Sequence, residues 1–224
     1  MFKALFNWFK AENLLSQAKR QVLEMLKIVH ELFDDSVQLF WSGSGATIDS
    51  LRKRDREINH LVRDVRKKVL THLAFTGSGD LDMSLVMVNI VVYIERIGDY
   101  TKDIGYLATD YPGVVKAHEL EERAHSFEKD LSARLKILVD VFSRDDDETG
   151  LAKQLTSTHK EMDLKYKGLI QVLMEPEKNP LTPSDSAKLA LYLRYLRRVE
   201  GHIYNIASGE VNPFHRISFK VKKK

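Results

Sequence analysis

Two runs of apolar residues far apart in the chain superpose without a gap. Met87, Ile90, Ile94, Ile97, Thr101 and Ile104 recur three and four positions apart, and Leu189, Tyr192, Leu196, Val199, Ile203 and Ile206 repeat them at a constant offset of 102. That spacing marks one face of an α-helix. In the run before each of these, Ile58 matches Met162 at an offset of 104, so the intervening loops differ by about two residues. A helical unit that has been duplicated must bury each copy's face against neighbours of its own, which points to two similar bundles in tandem.

The rest of the chain fits that frame. The first helical pattern runs from about Ala11 to Trp41 and stops at Ser42-Gly43-Ser44-Gly45. Thr47 or Asp49 can cap the second, which carries Leu51, Ile58, Val62, Val65, Val69 and Leu73. The third runs from about Leu81 to Thr109, and Tyr111-Pro112-Gly113 ends it. A fourth extends from about Val114 to Ser143, Arg144 and the acids Asp145 to Glu148 mark a turn, and a fifth runs from about Thr149 to Met174. Thr182-Pro183-Ser184-Asp185 opens the sixth with a capping threonine and a proline at the first helical position. No segment alternates with period two long enough to argue for a strand. The expected fold is all-α: six long helices forming two tandem three-helix bundles related by internal duplication. The expected divisions are an amphipathic segment at 1–10, bundles at 11–112 and 113–212, and a basic tail at 213–224.

Composition narrows the function. The chain has 224 residues and a net charge of only +3 despite 35 basic residues, because 32 acids are interspersed with them, so no dedicated nucleic-acid binding is expected. There is no cysteine, hence no disulfide framework and no thiolate metal site. No apolar run reaches the roughly 18–20 residues needed to span a bilayer, and no signal peptide opens the chain, which favours a cytoplasmic protein. Met1, Phe2, Leu5, Phe6, Trp8 and Phe9 with Lys3 and Lys10 form an amphipathic segment, expected to pack on the first helix or across a homodimer interface, the alternative being docking on a membrane surface or a partner. Lys220, Lys222, Lys223 and Lys224 read as a solvated end.

The candidate site lies on the third helix. After Val92 its second apolar stripe turns acidic, and Glu95, Asp99 and Asp103 follow one another four apart. Their Cβ atoms then stand roughly 5–6 Å apart on one face, and like charges so placed repel. Something cationic would stabilise this face: a metal ion, or salt bridges from a neighbouring helix through Arg54 or Arg63.

The duplication and the stretch Glu95-Arg96-Ile97-Gly98-Asp99 together resemble the PhoU family of phosphate-uptake regulators, which are built of two three-helix repeats. Asp103-Ile104 stands where that family usually has Asn-Ile, and Asp55-Arg56-Glu57-Ile58-Asn59 resembles its companion acidic stretch on the second helix. The likeness spans roughly residues 15–210. It implies a non-enzymatic regulator of phosphate uptake and phosphate-starvation signalling, attached to the membrane only through its partners. Those would be the ATPase of a phosphate ABC transporter and a sensor histidine kinase, or else another phosphate transporter. It also implies a metal site on the first repeat, held by Glu95, Asp99, Asp103, Asp55 and Asn59, for divalent or iron-type cations.

The second copy departs from this pattern. It reads Arg197-Arg198-Val199-Glu200-Gly201-His202, with Arg197 in place of the first acid and Gly201 in place of the second. The companion stretch has become His159-Lys160-Glu161-Met162-Asp163. An arginine where a carboxylate should stand argues against the same cation site there, so binding is expected on one bundle only. Glu200, His159, His202 and Asp163 could still form a site of another kind.

One alternative comes from a different class. Glu57-Ile58-Asn59-His60 and Glu122-Arg123-Ala124-His125 are Glu-x-x-His pairs, with Glu24 and Glu95 on other helices, the ligand order of a ferritin-like di-iron oxidase. Helical phase opposes it. Relative to Ile58, Glu57 is turned by about 100° and His60 by about 200°, so these side chains do not point inward together.

Overall fold

The computed structural model describes residues 2–113, 115–117, 119–143, 149–175 and 177–219, with side chains from residue 14 onward. Among these residues there are seven α-helices, a short 3-10 turn at Phe214–Arg216 and no strand. They are α1 (Phe2–Ser42), α2 (Ile48–Thr76), α3 (Leu81–Asp110), α4 (Glu119–Ser143), α5 (Thr149–Ser157), α6 (His159–Met174) and α7 (Pro183–Val211). Helices α1, α2 and α3 pack on one another as one bundle, and α4, α5, α6 and α7 as the second. The bundles join along α3 against α7 and α1 against α4.

The helix faces are the ones the spacing writes. Ile58, Val62, Val65 and Val69 of α2 and Ile90, Ile94, Ile97 and Ile104 of α3 are buried, as are Leu189, Tyr192, Leu196, Val199, Ile203 and Ile206 of α7. Thr47 accepts from the Ser50 N–H at 3.3 Å, and Thr182 from the Asp185 N–H at 3.1 Å, so both capping threonines serve as caps. Gly105 lets α3 close on α2: a Cβ there would stand 2.3 Å from Leu51 Cδ1. No helix among the described residues is long and apolar enough to cross a membrane.

Three boundaries differ from expectation. Helix α1 begins at Phe2, so residues 2–10 belong to it. The side chains of residues 2–13, the Arg144–Glu148 turn and the lysines from 220 onward lie outside the described residues. Helix α4 starts at Glu119, not near Val114. The fifth expected helix breaks in two at Thr158. Its cause is Arg134, which reaches across from α4. Arg134 Nη2 donates to the Leu155 carbonyl at 2.7 Å and Nη1 to Thr158 Oγ1 at 2.6 Å. That carbonyl is the acceptor an unbroken helix would offer to residue 159, and a side chain inserted into the ladder kinks the helix.

Candidate functional site

On the first bundle, the expected cation is supplied by the chain itself. Lys102 Nζ lies 2.8 Å from Asp55 Oδ2 and 3.6 Å from Asp99 Oδ1, tying α3 to α2. Burial lowers the Lys102 ammonium, but the hydrogen bond and charge of Asp55 and the charge of Asp99 outweigh it, so its pKa is raised and the charge held. Arg96 Nη1 adds a contact to Asp99 at 3.3 Å, and Asn59 Nδ2 donates to Asp55 at 3.5 Å. Asp103 completes the group. Burial raises its carboxyl, Lys102 opposes that, and the charges of Asp99 and Asp55 raise it further.

Four of the five expected metal residues, Asp55, Asn59, Asp99 and Asp103, thus gather about one lysine. Glu95 stands one turn before Asp99, half-buried, and among the described residues makes no hydrogen bond or ion pair to the group. The donor set does not fit a metal as arranged. Among the described residues no three Asp, Glu or His side chains converge as a metal ion requires. The ammonium sits where a cation would meet Asp55 and Asp99. The arginines considered for this role are engaged elsewhere, Arg54 with Asp35 and Arg63 with His60 at 2.9 Å.

The equivalent place in the second bundle has opposite character. The same offsets set Arg197 against Glu95, Gly201 against Asp99, Asn205 against Asp103, His159 against Asp55 and Asp163 against Asn59. These residues line a cleft of about 490 Å³ between α6 and α7. Glu200 is buried at its base and held by Arg134, with Nε at 2.8 Å and Nη2 at 2.9 Å on its two oxygens. His159 Nδ1 meets Glu200 at 3.0 Å. Asp163 is bridged by Lys167 at 2.7 Å and Arg197 at 3.1 Å, and the Lys167 hydrogen bond is the main reason its carboxyl is lowered. Glu200, His159 and Asp163 therefore do lie around one cleft, but as ion-paired groups.

Sequence reasoning missed Arg134, although a signal was present. It falls between Leu131 and Leu138 on the buried stripe of α4, a position where a charged residue needs a partner. The di-iron arrangement does not form: Glu24, Glu57, His60 and Glu122 are exposed on outer faces. His125 instead meets Glu128, at 2.8 Å. Glu128, buried where the bundles meet, also accepts from Trp41 Nε1 at 2.7 Å and from the Tyr192 hydroxyl at 2.6 Å. Burial, then the Glu128 charge, raises the Tyr192 phenol well above its ordinary value, so it remains a donor.

Fold and site define an all-α protein of two duplicated three-helix bundles, acidic on one copy's α3 face and arginine-rich on the other's. Residues 22–108 match the family model of the PhoU domain. The chain is 25% identical over 201 residues to the phosphate-specific transport system accessory protein PhoU homolog of Synechocystis sp., an alignment covering 88% of this chain and 87% of that one. The protein of the same name from Aquifex aeolicus is 26% identical over 188 residues, covering 82% and 81%. The crystal structure of PhoU from Pseudomonas aeruginosa superposes with a TM-score of 0.77 at 20% identity, covering 89% of this chain and 96% of that one. The phosphate transport system regulatory protein PhoU from Streptococcus pneumoniae gives 0.77 at 18%, covering 90% and 95%. The chain is thus similar to PhoU proteins along most of its length, and residues 22–108 match the PhoU domain.

Proposed function

We propose that the chain regulates phosphate uptake and the response to phosphate starvation by reversible docking of its helix faces on other proteins. One observation carries the reading. Relatives named as accessory proteins of phosphate-specific transport align with more than four-fifths of this chain, through both repeats and not the matched domain alone. The partners we assign are the cytoplasmic ATPase of a phosphate importer and a sensor histidine kinase, which places the protein on the cytoplasmic side. Its two copies offer such partners faces of different charge. No step of this function runs through a metal: a cation taken up by Asp55, Asn59, Glu95, Asp99 and Asp103 would first have to displace Lys102.

The reading is tested by removing the chain from phosphate-replete cells and measuring phosphate uptake, together with binding of the purified chain to the importer's ATPase. Uptake that is no longer held down, and saturable binding, are expected. Unchanged uptake and no binding would overturn it.

A further inference from the structure

The cleft between α6 and α7 has more cationic groups than its own acids can satisfy. Arg194, Arg197 and Arg198 all line it, with His202 and Asn205 beside them. Its two acids are already committed. Glu200 is paired with Arg134 and His159, and Asp163 with Lys167 and Arg197. The guanidinium of Arg197 rests over Tyr166 at 4.8 Å and that of Arg198 over Tyr100 at 5.9 Å. An aromatic face holds an arginine by its plane and leaves its edge donors available.

A second observation points the same way. His202 Nδ1 is buried without a hydrogen-bond partner. Its imidazole is lowered to about 4 by burial and by the nearby charges of Arg198 and Arg96. Burial is the larger cause and the two arginine charges add to it, and the neutral imidazole can still donate one N–H.

We propose that this cleft binds a phosphoryl oxyanion, held by Arg194, Arg197 and Arg198 with His202 and Asn205 as neutral donors. Planar guanidinium forks match the oxygens of a phosphoryl group and bind it through paired charge-assisted hydrogen bonds. A metal cation finds no uncommitted carboxylate here, so this copy of the duplicated face has exchanged a cation's ligands for an anion's. The assignment goes beyond docking on transport proteins and does not depend on it. The phosphoryl group can belong to free inorganic phosphate or to the phosphate tail of a nucleotide.

The test is calorimetric titration of the full chain in chloride buffer, with orthophosphate in one arm and ATP in the other. Saturation by orthophosphate assigns the free anion, and saturation by ATP alone assigns the nucleotide. Either binding should weaken about tenfold or more, some 1.4 kcal/mol, in Arg194→Gln/Arg198→Gln. Arg52→Gln, on exposed α2 away from the cleft, should bind as the wild type does. In the unaltered chain the His202 imidazole resonances should move on titration, a readout that needs no variant to fold. No saturation by either ligand at millimolar concentration would overturn the proposal, as would undiminished binding in the double variant or a stationary His202 signal.

Discussion

The rings of Tyr100 and His202 stack 5.8 Å apart across the contact between α3 and α7, and the two residues are 102 positions apart. They are therefore the same position in the two repeats, facing each other. Tyr93 stacks on His202 at 5.7 Å, and its equivalent Tyr195 lies against Tyr100 at 6.2 Å. Four rings form a ladder about an approximate two-fold axis. The duplication is thus also the geometry by which the bundles join, because a self-complementary patch copied once can pack against its own copy.

His202 makes that seam sensitive to acid. Its folded pKa is about 4 against an ordinary 6.5, so the unfolded chain binds a proton first as pH falls. Stability contributed by the neutral ring is full above about 6.5 and is lost progressively between there and about 4. In His202→Phe that loss should be absent. Unfolding followed across this range should show the wild type falling relative to the variant as pH drops. Parallel curves would contradict the depressed pKa.

Arg134 and Glu200 form a buried pair, and Glu200 stands where the first repeat has Gly98. Removing one partner leaves an uncompensated buried charge, so Glu200→Ala or Arg134→Leu should each cost about 3–5 kcal/mol. The double variant should cost less than the two singles added, a coupling that urea unfolding of all four proteins would measure.

Lys102 is the internal cation of the acidic face. Lys102→Met should lower stability and leave Asp55, Asp99 and Asp103 without their shared ammonium. Manganese should then raise the variant's Tm. A ligand at a hundred times its Kd stabilises by about 2.7 kcal/mol, several degrees for a chain of this size. The wild type should gain far less, and an equal gain in both proteins would show that Lys102 does not hold the cation's place.

Two glycines should respond to alanine in opposite directions. At Gly105 the new Cβ meets the buried Leu51 side chain at 2.3 Å, so Gly105→Ala should cost about 1–3 kcal/mol by overpacking. At Gly201 nothing lies within 4 Å of that position, and Gly201→Ala should stabilise α7 by about 0.5–1 kcal/mol. Thermal melts of the two variants suffice to check both signs.

The helices were legible because burial writes a period of 3.6 directly into residue type: Ile58, Val62, Ile94 and Ile97 are at once the pattern and the core. The acidic row on α3 was legible for the same reason, and its need for a cation followed from charge alone. Which cation answers that need was not, since Lys102 neutralises Asp55 across a helix gap that no spacing within α3 encodes.

By itself, then, the sequence determined the helical class, the duplication, the cap at Thr182 and the loss of the acids from the second copy's face, and it left Thr47 or Asp49 open as the cap of the second helix. Only the tertiary structure decided that Lys102 sits among the acids, that Arg134 breaks the fifth helix at Thr158, and that Tyr100 meets His202. The difference is physical. Periodicity is set by the backbone of a single helix, whereas a long cationic side chain chooses its partner among charges brought within a few ångströms by packing of other helices.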